Sequence, residues 1–73
     1  MKKEFKMENL DCAHCAALME SKIAKLDGVN SVSISFIMQK IVIDAEDKVF
    51  EYIIKKAAKI CKKIEPDCIL VIK

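Results

Sequence analysis

Polar and apolar residues alternate through Glu4-Phe5-Lys6-Met7-Glu8, the pattern of a half-buried strand. From Ala13 to Leu26 the chain contains no Gly, Pro or Val. Across that stretch Ala16, Met19, Ile23 and Leu26 recur at spacings of three and four, which predicts one helix with a single apolar stripe. Asp27-Gly28 ends it, with Gly where a left-handed cap is favoured. Ser31 to Phe36 alternates strictly and predicts a strand with Val32, Ile34 and Phe36 inward. A turn near Ile37-Met38-Gln39 leads to a second strand over Lys40–Asp44, so the pair reads as a hairpin. Asp47 is placed to cap a second helix over Lys48–Lys63. Its stripe is Phe50, Ile53, Ala57, Ile60 and Ile64, with Ile54 and Cys61 beside it, and Pro66 stops it. Asp67 to Ile72 is the last predicted strand.

The predicted order is strand, helix, strand, strand, helix, strand. Each half is a strand–helix–strand unit, and right-handed crossovers place both helices on one face of a four-stranded antiparallel sheet. The expected fold class is therefore α+β, a ferredoxin-like βαββαβ sandwich. No linker, repeat or low-complexity stretch interrupts it, so residues 1–73 are expected to form one domain.

Composition narrows the function. With 53% hydrophobic residues, one Gly and one Pro, the chain is globular and not disordered. No apolar run approaches the ~20 residues of a membrane span, and no secretory segment follows Lys2-Lys3, so a cytoplasmic location is expected. The formal net charge is +2 and all 13 basic residues are Lys, a poor match to nucleic-acid recognition, which favours Arg. Lys55, Lys56, Lys59, Lys62 and Lys63 read as one solvated helix face or as a docking patch for an acidic partner. In a reducing compartment the four Cys serve metal binding, redox chemistry or packing and not disulfides.

The chemistry concentrates in Asn9-Leu10-Asp11-Cys12-Ala13-His14-Cys15. Two thiols separated by two residues, on a loop that becomes a helix, can close on one soft ion. The helix N-terminus adds positive potential that favours thiolate over thiol. An acid precedes the first thiol and a histidine stands between the two.

Several stretches together resemble the heavy-metal-associated domain: the Leu10 to Cys15 loop, the Lys25-Leu26-Asp27-Gly28-Val29 helix exit, the Val32 to Phe36 strand and the Lys62-Lys63-Ile64-Glu65-Pro66-Asp67 exit. This is the small βαββαβ module of metallochaperones and of the cytosolic N-termini of metal-exporting P-type ATPases. The resemblance covers essentially the whole chain. It implies metal binding at Cys12 and Cys15, no catalysis by this segment, and a metal-transporting ATPase as partner, in the same chain or separate. Copper chaperones of the family usually carry Met-Thr-Cys or Met-His-Cys, whereas Leu10-Asp11-Cys12 looks like the zinc, cadmium and lead exporters.

The physical argument agrees. Cu(I) is content with two thiolates, while Zn(II) takes about four ligands, and Cd(II) and Pb(II) also take more than two. Asp11 is the expected third ligand, with helix capping its competing role. His14 and Cys61 are further candidates. The resemblance implies that His14, between the cysteines, points to solvent and that Cys61 falls near the loop that approaches the metal site, while Cys61 has an alternative place as a small buried residue. Lys62 is a candidate to screen a thiolate site. Leu10 is expected to pack under the loop, Asn9 to tolerate a left-handed backbone, and Cys68 to pack in the last strand. The rival readings are a Cu(I) metallochaperone, a thiol redox protein using Cys12 and Cys15, and a docking domain. The redox reading lacks the Trp-Cys-Gly-Pro-Cys character.

Overall fold

A computed structural model describes residues 1–72. Strand β1 (Lys2–Glu8) leads to helix α1 (Ala13–Ala24), and β2 (Val29–Ser35) pairs with β3 (Lys40–Ala45). A 3₁₀ turn at Asp47–Val49 runs into helix α2 (Phe50–Ile64), and β4 (Ile69–Val71) closes the chain. The sheet is antiparallel throughout, in the order β2-β3-β1-β4. This is the expected ferredoxin-like arrangement.

Register explains how one face becomes the core. Phe5 lies opposite Ile41, and Ile41 opposite Ile34. Ile43 lies opposite Val32, and Met7 opposite Leu70. Successive side chains of a strand point to opposite faces, so these rows share one side of the sheet. Met19 and Ile23 of α1 and Ile53, Ile54, Ala57 and Cys61 of α2 complete the same buried cluster. Among the described residues no polar or charged residue is buried.

Four details differ from expectation. Phe36 falls in the hairpin turn, past the end of β2, and is exposed, because the strand stops at Ser35. Asp47 makes no capping bond to α2. Its carboxylate pairs with the Met1 amine at 2.9 Å, and the 3₁₀ turn supplies the helix start instead. The core side of α2 is rotated from the predicted stripe: Ile54 and Cys61 are buried, while Ile60 and Ile64 are half-buried at its margin. β4 spans three residues and not six. Gly28 holds φ +99°, as its place after α1 predicted.

Candidate metal centre

β1 ends at Glu8, and the chain turns at Asn9, whose φ of 61° is left-handed. Asn is among the few residues that accept this conformation readily. The Asn9 side-chain amide donates to the Asp67 carbonyl at 3.2 Å, tying the loop to the segment before β4. Leu10 then turns inward and is 2% exposed, packing under the loop as expected. The loop's apolar anchor and its turn thus lie on either side of one peptide bond.

Cys12, and not Asp11, is the N-cap of α1. Its backbone is extended (φ −130°, ψ 115°), and its sulfur accepts the Cys15 backbone N–H at 3.2 Å. A thiol is an unusual cap, since oxygen side chains dominate there. The same geometry that satisfies an orphan helix N–H places the sulfur at the positive end of the helix. The Cys12 thiol is accordingly held below the ordinary thiol range. The main cause is the neighbouring Cys15 thiol, followed by the backbone N–H groups of Cys15 and His14. Cys15 is the converse: its thiol is pushed up to about 12. The neighbouring Cys12 thiol, partial desolvation against the core, and the nearby Glu65 carboxylate with its charge all favour its protonated form. Of the two thiols, Cys12 is therefore the one that gives up its proton more readily.

The other candidates are distributed around this pair. Asp11 is exposed and lines a surface groove of about 670 Å³ together with Asn9, Lys62, Asp67 and Cys68. His14 is exposed on the first turn of α1. Cys61 has zero exposure inside α2, and burial, reinforced by the neighbouring Cys68, pushes its thiol up to about 12. Cys68 is also buried. Its thiol is raised by burial first and then by the charges of Glu65 and Asp11. Cys12 and Cys15 are together. Among the described residues no group of three or more His, Cys, Asp or Glu side chains converges closely enough to hold an ion.

Two participants escaped sequence reasoning. Glu65 at the end of α2 reaches Cys15 across the fold. Gln39 from the hairpin turn bonds the Leu10 backbone. In the sequence Glu65 reads only as part of the second helix's exit and Gln39 only as part of the hairpin turn, and each meets the loop only through tertiary structure.

The heavy-metal-associated domain model matches residues 4–67, which runs from within β1 through the thiol loop to just before β4. The chain belongs to the heavy-metal-associated family. As such a domain it is 27% identical over 66 residues to the cadmium, zinc and cobalt-transporting ATPase of Bacillus subtilis, covering 90% of this chain and 9% of that protein. It is 38% identical over 45 residues to the zinc/cadmium/lead-transporting P-type ATPase of Escherichia coli, covering 62% of this chain and 6% of the relative. The domain thus spans less than a tenth of the transporters it matches. With the copper chaperone CopZ of Enterococcus hirae it shares 30% identity over 64 residues, 88% of this chain and 86% of the chaperone. Its fold superimposes on a solved CopZ metallochaperone with a TM-score of 0.76 at 17% identity, covering 97% of this chain and all of the other. At that identity the likeness speaks for the fold. None of the described helices is long and apolar enough to cross a membrane.

Proposed function

We propose that this domain binds one Zn(II), Cd(II) or Pb(II) ion through Cys12, Cys15 and Asp11 in the cytosol. It then passes the ion to a metal-exporting P-type ATPase, or regulates that transporter, in the same chain or a separate one. It is a carrier and not an enzyme. The observation that carries this reading is the Cys12 sulfur at the N-terminus of α1, hydrogen-bonded to the Cys15 N–H and half-exposed beside the second thiol. Such a pair can take a soft cation from one side while the other side stays open. Transfer proceeds by ligand exchange: a partner's thiolate or carboxylate adds to the ion before a ligand of this domain leaves. Asp11 is free for the ion because Cys12 occupies the cap position.

The likeness to a copper chaperone over nearly its whole length supports a second reading, a Cu(I) carrier using the same two thiols. Asp11 favours the first reading, because a carboxylate suits the divalent ions and is a poor donor to soft Cu(I).

Zinc titration against a chromophoric chelator tests the thiols. The wild-type domain is expected to bind one ion per chain with proton release, and to bind more tightly as pH rises, because Cys15 must surrender its proton. The C12S/C15S double variant is expected to lose tight binding. Unchanged zinc affinity in that variant would sink the assignment.

A further inference from the structure

Among the described residues, two besides glycine adopt a left-handed backbone, Asn9 and Gln39. They face each other where the β1–β3 ladder runs out. The Gln39 carbonyl still accepts the Met7 N–H at 2.8 Å, and beyond that bond no strand residue is left to partner Leu10. The Leu10 side chain is buried, so its backbone N–H and C=O require partners. One side chain provides both. The Leu10 N–H donates to Gln39 Oε1 at 3.0 Å, and Gln39 Nε2 donates to the Leu10 carbonyl at 2.6 Å. Nε2 also donates to the Phe36 carbonyl at 2.8 Å, which closes the hairpin turn. A primary amide has two donor hydrogens and an acceptor oxygen, and all are engaged. The Gln39 side chain takes the place of a missing strand neighbour.

Among the described residues, the loop's other hydrogen bond before the helix begins is the exposed one from Asn9 to the Asp67 carbonyl. Beside the buried Leu10 side chain, the amide of Gln39 is therefore the interior hydrogen-bonding constraint on the loop. We propose that Gln39 is the positioning residue of the metal loop. It fixes the backbone of Leu10, two residues before Cys12, and through it the place of the Cys12 sulfur at the start of α1. As a statement about the ion this rests on the metal-binding reading above. As a statement about the loop it can be read in the metal-free protein. Only glutamine suits the post. Glutamate has the same length but no N–H to donate and would set an acceptor against two carbonyl oxygens. Asparagine is one methylene shorter and cannot span to both Leu10 atoms while its backbone stays in the ladder.

Two variants and a control test it. Gln39→Gly removes the amide but suits the left-handed backbone, which separates loss of the clamp from loss of stability. Gln39→Glu keeps the shape and removes the donors. Ser35→Ala is the control, because the Ser35 hydroxyl accepts the Met38 N–H within the same turn without touching the loop. In the metal-free protein, hydrogen exchange of the Leu10 amide is expected to quicken at least tenfold in Q39G and Q39E. It should stay at the wild-type rate in S35A, with Ile41 and Ile43 still protected in all. Zinc loss to a chelator should quicken about tenfold in both Gln39 variants, and the Cd(II)–thiolate charge-transfer absorption should shift. S35A should match wild type in both readouts. Wild-type Leu10 exchange or wild-type zinc loss in Q39G and Q39E overturns the proposal, as does an equal effect in S35A. Failure of the metal-binding reading shows separately, as zinc binding that survives in C12S/C15S.

Discussion

Asp11 stands next to the first thiol but has no structural duty that would explain it, since Cys12 caps the helix and Asp11 is exposed. Its charge is therefore available to an ion. Replacing Asp11 with Asn should weaken zinc binding by roughly tenfold, about 1.4 kcal/mol, while Cu(I) affinity moves much less and folding stability stays the same. Competition titrations of wild type and D11N with both ions check this, and equal losses for the two ions would favour the copper reading. At this scale the sequence was informative where chemistry is local. The CxxC spacing, the helix start after it, the inward Leu10 and the tolerance of Asn9 for positive φ all follow from near neighbours. Glu65 and Gln39 could not be read that way. The hydrogen bonds of Gln39 to Leu10 span 29 positions, and only the closed sheet brings those atoms together.

The elements hold that sheet in place through a few demanding positions. Gly28 links α1 to β2 at φ +99°, and a Cβ there would lie 2.6 Å from Val49 Cγ2, the stiff branch of a residue at the start of α2. Gly28→Ala thus combines backbone strain with a clash and should destabilise the domain by about 1–3 kcal/mol, read from the midpoint of chemical denaturation. The element pattern was largely legible because period-two and period-three-to-four apolar spacings are set by burial on one face. It misled where burial is set by packing angle. The core side of α2 carries Ile54 and Cys61, and Ile60 and Ile64 lie at its margin. Asp47 had the chemistry of a cap, but the nearby Met1 amine competes for its carboxylate. Phe36 continued an alternating pattern that the turn interrupts, and the Gln39–Phe36 bond shows where the strand gives way.

For the whole molecule, the core forms from both helices and all four strands without any contribution from an ion. Among the described residues there is no buried side-chain polar atom lacking a hydrogen-bond partner. The metal-free domain should therefore be fully folded under reducing conditions, with metal-induced amide shifts confined mainly to residues 9–15 and to the nearby end of α2. A collapsed NMR spectrum without metal would contradict this. Exposed Leu18 and the hairpin tip, where Ile37 is 91% exposed and Met38 64%, lie outside this core. The unequal thiols have a temporal consequence. Cys12 sits on the loop as the readier thiolate, whereas Cys15 is anchored on the helix against the core and keeps its proton. On the proposed reading the arriving ion meets Cys12 first, and Cys15 joins as it gives up a proton. At delivery a returning proton frees Cys15 before Cys12. Loading and unloading then run in opposite order along one path.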